Sequence, residues 1–147
     1  MDGARAIENL LGEYCERIDA GDFAGVGALF AAGALADEHG IELARGAEAV
    51  AAFYAKGTRL HDGSPRTKHL VVNSVVDVDE EAGTATARSS YVVLQGVPGQ
   101  PLQPIITGRY RDSFARTDGA WHFVERRFFV DLVGDLSNHL RFEVREP

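Results

Sequence analysis

From residue 4 to residue 20 the apolar positions Ile7, Leu10, Leu11, Tyr14, Cys15 and Ile18 recur at the spacing that puts them on one face of a helix. Gly21 follows as a permissive stop, and Asp22 is placed to cap a second short helix carrying Phe23, Val26, Leu29 and Phe30. Between residues 34 and 44 two strand-like pieces flank His39-Gly40, a pattern that predicts a small hairpin. A third helix is predicted around Val50, Phe53 and Tyr54, closing at Gly57 before the Gly63-Ser64-Pro65 loop.

After Pro65 the helical period gives way to strand alternation. Strands are predicted over residues 67–79, 84–95, 105–117 and 121–132, with a turn at 80–83 and a hairpin signal at Asp118-Gly119. Pro98, Pro101 and Pro104 make residues 96–104 a stiff connection outside the ladder. Simple alternation along 67–79 assigns Leu70, Val72, Val76 and Val78 to one face and His69, Val71, Asn73 and Val75 to the other. Both faces are apolar, so each needs a cover: helices on one, and a second subunit or the curl of the sheet on the other. Helices first and a four-strand meander second predict one α+β domain over residues 1–147.

Composition narrows the partners. The formal net charge is −7 and no basic cluster alternates with aromatics, which argues against nucleic acid. There is no long apolar run for a membrane and no export signal, and the single cysteine, Cys15, has no partner within the chain for a disulfide. These features predict a cytoplasmic protein.

Asp19 stands four residues after Cys15, at the edge of the helix face that enters the core. A carboxylate there needs a partner, unless it is simply a solvated acid at the helix end. His69 opens the first long strand; if its face lines the interior, Asp19 can fix the tautomer of the ring and leave the other nitrogen as a general base. The alternative is a structural histidine. Tyr14 is either core filler or an oxyanion donor, and it points about 140° away from Asp19, so both serve one pocket only across the helix end. Other chemistries find little support. The five histidines lack metal-ligand spacing, so no metal is expected, and no cofactor motif occurs. Cys15 reads as inert packing. Arg126-Arg127 reads as a solvated pair, although alternation allows one inward guanidinium.

Three segments, Tyr14-Cys15-Glu16-Arg17-Ile18-Asp19-Ala20-Gly21-Asp22, Lys68-His69-Leu70-Val71-Val72-Asn73 and Asp118-Gly119-Ala120-Trp121, together resemble the SnoaL-like branch of the NTF2-like superfamily. The resemblance implies a cone: N-terminal helices packed on one highly curved antiparallel sheet. It also places Asp19 and His69 at the Asp–His dyad positions of scytalone dehydratases and of hexachlorocyclohexane dehydrochlorinase. Tyr14 and Asp19 keep the spacing seen in bile-acid 7α-dehydratases. The chain differs from scytalone dehydratases in carrying Ser89, Ser90 and Tyr91 where a second pocket histidine is expected.

The resulting expectation is a cofactor-free lyase or isomerase with Asp19, His69 and Tyr14 catalytic. Phe23, Phe53, Tyr54, Val71, Asn73, Val75, Tyr91, Phe128 and Phe129 are the candidate residues around a hydrophobic polycyclic, polyketide-like or terpenoid substrate. The rival is a non-catalytic binding module or accessory subunit on the same fold. A homo-oligomer, dimer or trimer, is expected through the outer sheet face. In the C-terminal segment, Asp135 is expected to cap a turn laying Leu136 and Leu140 over the cone mouth or a neighbour, the alternative being a frayed tail.

Overall fold

The computed structural model describes residues 2–147. Helix α1 (Gly3–Asp19) starts where the Asp2 side chain accepts the Arg5 N–H at 2.8 Å, and it buries Ile7, Leu11, Tyr14, Cys15 and Ile18. It ends in a Schellman turn: Asp22 N–H donates to Arg17 O at 2.9 Å and Gly21 N–H to Ile18 O at 3.0 Å. Gly21 has φ 72°, the left-handed region where a side chain is strained, so the stop at Asp19 is built into the chain. Asp22 then caps α2 (Phe23–Leu29) through the Gly25 N–H at 2.8 Å. Helix α2 packs on α3 (Ala47–Gly57) at Gly27, where a β-carbon would come within 2.2 Å of the Ala47 carbonyl oxygen.

The strands are β1 (Ala34–Ala36), β2 (Glu42–Arg45), β3 (Thr67–Asp79), β4 (Thr84–Gln95), β5 (Gln103–Thr117) and β6 (Ala120–Val133). They form one six-stranded sheet in the order β2-β1-β6-β5-β4-β3. The sheet is mixed rather than wholly antiparallel: β1 lies parallel to β6, with Leu35 opposite Arg126. Such a pairing needs a long crossover, and α3 with the β3–β5 meander supplies it. Pro104 falls inside β5, next to a register shift between Val93 and Leu94, where its missing N–H is tolerated.

Curvature comes from bulges. On β3 two residues, Asn73 and Ser74, stand opposite the single Ser89 of β4, and Asn73 has φ 55°. The extra residue reverses the phase of the strand. His69, Val71, Val76 and Val78 face the helices, while Leu70, Val72 and Val75 are on the outside. The uniform alternation expected from the sequence is therefore corrected at Asn73. Two more bulges, at Val124 and Asp131 of β6, bend the sheet further.

The last strand is followed by a docked segment. Asp135 accepts the Ser137 N–H at 2.9 Å, Leu140 bridges to Thr58, and the His139 carbonyl accepts the Arg59 N–H at 2.7 Å.

Candidate active site

Asp19 ends α1 and His69 lies near the start of β3, and the fold joins them across 50 positions of sequence. His69 Nδ1 is 2.6 Å from Asp19 Oδ1. The same carboxylate accepts the His69 backbone N–H at 2.9 Å and the Thr67 hydroxyl at 3.0 Å. A carboxylate at a helix C-terminus meets the negative end of the helix dipole, so these donors from β3 are what hold it there. Because an ionised carboxylate only accepts, Nδ1 is the donor, which leaves Nε2 as the nitrogen that can carry a lone pair toward the cavity side of the pair. The two side chains are 7% and 14% exposed, which shields the contact from water. Thr67 went unnoticed in the sequence; its place two residues before His69, on the same face, was the available signal.

The His69 ring lines a cavity of about 210 Å³. Tyr14, Tyr54, Tyr91 and Tyr110 line it as well, with Ile18, Phe53, Val93 and Phe128 among the apolar walls. Asp19 does not line it. The carboxylate sits behind the ring, which is how Tyr14 and Asp19 serve one pocket while pointing in different directions from α1.

The Tyr14 and Tyr54 hydroxyls are 2.5 Å apart in a buried hydrogen bond. Burial raises the Tyr14 phenol above its ordinary value, although the Arg126 charge and the Tyr54 bond pull the other way. Tyr14 is thus neutral at physiological pH, and either hydroxyl of the pair can donate to the other. Tyr91 donates to the Phe129 carbonyl at 3.1 Å, and its seat requires Gly108, since a β-carbon there would lie 2.4 Å from the Tyr91 oxygen.

Behind the tyrosines, Arg126 is 0% exposed and pairs with buried Asp112 through two hydrogen bonds of 2.8 Å. Its guanidinium lies 3.7 Å from the Tyr110 ring centroid and 4.3 Å from that of Tyr14. The reading of Arg126-Arg127 as a solvated pair is corrected: Arg127 meets Glu125 near the surface, and Arg126 is the inward one.

Several expected wall residues stand elsewhere. Phe23 is one ring behind the wall, stacked on Tyr54 at 6.4 Å. Val71 faces a separate depression beside Cys15 and Leu11. Asn73 is exposed at the bulge, Val75 is on the outer face, and Phe129 turns outward beneath Arg109. The bulge in β3 takes Asn73 and Val75 off the inner face, Phe129 is the outward neighbour of Phe128, and Phe23 packs in the layer behind Tyr54. Phe53, Tyr54, Tyr91 and Phe128 do line the cavity.

The sequence reading missed Tyr110 and His139. Tyr110 could have been found, for it alternates with the buried Asp112 and Phe114. His139 lies in the segment expected to dock through Leu136 and Leu140, but nothing in its spacing pointed its ring at the cavity. It supplies a second imidazole to the cavity, 6.2 Å from His69 between ring centroids. Leu43 and Phe142, both half exposed, mark the mouth.

The remaining candidates are quiet. Burial pushes the Cys15 thiol up to about 11, which keeps it protonated and inert. Among the described residues no three His, Cys, Asp or Glu side chains converge as metal ligands. A larger open groove of about 620 Å³ runs between His61, Arg66 and Asn138, but its lining includes neither His69 nor the tyrosines.

Solved structures share the fold. A protein of unknown function from Mycobacterium tuberculosis is 26% identical, with a TM-score of 0.72 over 88% of this chain and 72% of that one. An NTF2-like protein with a cystatin-like fold from Novosphingobium aromaticivorans is 25% identical, with a TM-score of 0.71 over 92% and 85%. A scytalone dehydratase candidate from the same organism is 22% identical, with a TM-score of 0.70 over 97% and 89%. No curated protein matches. The family model of the SnoaL-like domain matches residues 2–127, and the chain therefore belongs to the SnoaL-like domain family.

Proposed function

We propose that this protein is a cofactor-independent lyase or isomerase of the dehydratase or cyclase type, acting on a small hydrophobic molecule. The observation that carries the reading is the 2.6 Å contact between Asp19 and His69 at the wall of a mostly apolar cavity. His69, oriented by Asp19, takes a proton from a carbon next to a carbonyl group. Negative charge moves to the carbonyl oxygen, and Tyr14 donates a hydrogen bond to it, supported by Tyr54. The enolate then either expels a β-hydroxyl group, which takes the proton from the His69 imidazolium and leaves as water, or is reprotonated at another carbon by that imidazolium. The apolar walls keep water out and strengthen each of these interactions.

A cavity of about 210 Å³ lies below the ~300–1,000 Å³ usual for drug-sized ligands. This favours a one- or two-ring compound, polyketide-like or terpenoid in skeleton, over a larger polycycle.

The test is exchange of the α-protons of 2-tetralone in D2O, followed by proton NMR. The wild-type protein is expected to accelerate exchange, and His69→Gln and Asp19→Asn to lose about 10²–10⁴-fold of that acceleration, the usual worth of a positioned base. Exchange no faster than in buffer, with tight 2-tetralone binding, would favour the binding-module alternative.

A further inference from the structure

The backbone around His139 is fully engaged. Its N–H donates to the Leu136 carbonyl at 3.0 Å and its carbonyl accepts from Arg59. The neighbouring Asn138 carbonyl accepts from Gln95 Nε2 at 3.0 Å and lies 2.7 Å from His61 Nε2. The side chain is treated differently. The residue is only 7% exposed and lines the cavity, yet its Nδ1 is buried with no hydrogen-bond partner among the described residues. Buried polar atoms in folded proteins are nearly always paired, so an unpaired one on a residue that lines a cavity calls for a partner the protein alone does not supply, a water or a ligand. Leu140, Phe142 and Val144 of the same segment line the cavity with apolar side chains, so His139 is the one imidazole this segment brings to it.

We propose that His139 is a substrate-binding residue of the cavity, whose imidazole hydrogen-bonds an oxygen of the ligand, so that the site selects a hydroxylated one- or two-ring compound over its hydrocarbon counterpart. The proposal deepens the functional reading above and rests on it for the cavity being the reaction site. A neutral imidazole has one donor and one acceptor nitrogen, and a hydroxyl group can satisfy either. Burial and the adjacent His69 hold His139 down to about 4, so the ring is neutral in the ordinary pH range. In that state it binds oxygen without placing a second cation beside His69 when His69 takes the substrate proton. His69 moves the proton, and His139 decides which molecule presents it.

The test uses the full chain and two probes of similar size, 2-naphthol and 2-methylnaphthalene, with affinity measured by titration calorimetry and the His139 ring nitrogens observed by nitrogen-15 NMR. The expected result is a ring-nitrogen resonance of His139 that moves with 2-naphthol and stays in place with 2-methylnaphthalene. His139→Phe is expected to weaken 2-naphthol binding about tenfold while leaving 2-methylnaphthalene within about twofold, and His139→Gln to recover most of the difference. The NMR arm needs no variant and stands even if His139→Phe folds poorly. Tyr14→Phe is expected to keep the His139 response, which separates the two hydrogen-bonding positions. A His139 resonance indifferent to the hydroxyl, a hydroxyl preference that survives His139→Phe, or a wild-type protein that binds neither probe would each overturn the proposal. Loss of 2-tetralone exchange with the hydroxyl preference intact would count against the catalytic reading alone.

Discussion

A guanidinium taken out of water costs several kcal/mol unless its charge and its N–H groups are met. Asp112 meets Arg126 with two hydrogen bonds, and the Tyr14 and Tyr110 rings cover it. Burial pushes the Asp112 carboxyl up and Arg126 opposes it, so removing either partner strands the other. Asp112→Ala is expected to cost about 3–5 kcal/mol in urea denaturation, and the double change Asp112→Leu with Arg126→Met to recover much of that loss. His139 makes a pH-dependent contribution of its own. The ring faces His69, Asp19 and His61, and its pKa falls from an ordinary 6.5 to about 4, with burial the leading cause. Between those values the unfolded chain binds a proton that the native chain does not. The contribution of this residue to stability is therefore greatest above pH 6.5 and falls as the pH drops toward 4, by about 3 kcal/mol. From pH 7.5 down to pH 4.5 the denaturation midpoint of the wild type should fall more steeply than that of His139→Gln; parallel curves would rule the effect out.

At the scale of elements, two helix ends set the site. The Schellman turn at Gly21 stops α1 at Asp19, and Asp22 restarts the chain as α2. Asp22→Ala is expected to cost about 1 kcal/mol through loss of the cap. The C-terminal segment is the other decisive element, since it contributes His139, Leu140, Phe142 and Val144 to the cavity lining. Truncation after Leu132 is expected to abolish measurable 2-naphthol binding, whereas unchanged affinity would mean that the segment is dispensable. Much of this level could be read from local pattern. Helix α1 and its stop, the Asp22 cap and the Asp118-Gly119 turn depend on residues within a few positions of one another. The phase of β3 could not be read, because Asn73 and Ser74 bulge against Ser89 on a neighbouring strand.

For the whole molecule, the bulge in β3 adds Val75 to an apolar strip on the outside of the sheet. Leu70, Val72 and Val75, at 39%, 37% and 40% exposed, stand on the outer face of a strand at the edge of the sheet, and Leu70 pairs with Val92 of β4. An apolar strip on an edge strand is a surface for association, and we expect a homodimer or homotrimer to cover it. Val72→Lys is expected to shift sedimentation toward a 15.9 kDa species, and a wild-type protein already at that mass would refute the assembly. No helix among the described residues is long and apolar enough to cross a membrane.

The order and kind of the elements and the inward face of α1 were determined by the sequence itself, because helix periodicity, strand alternation, caps and turns act between near neighbours, while the candidacy of Asp19, His69 and Tyr14 rested on their positions together with the resemblance to SnoaL-like proteins. The tertiary structure alone decided what depends on distant partners. It set β1 parallel to β6, buried Arg126 against Asp112, placed Asn73 on a bulge in place of the pocket, and brought His139 from beyond the last strand to face His69. Thr67 and His69 reach Asp19 across 48 and 50 positions respectively. No local pattern encodes such pairings; they form when the sheet curls, and the bulges that curl it are set by contacts between strands.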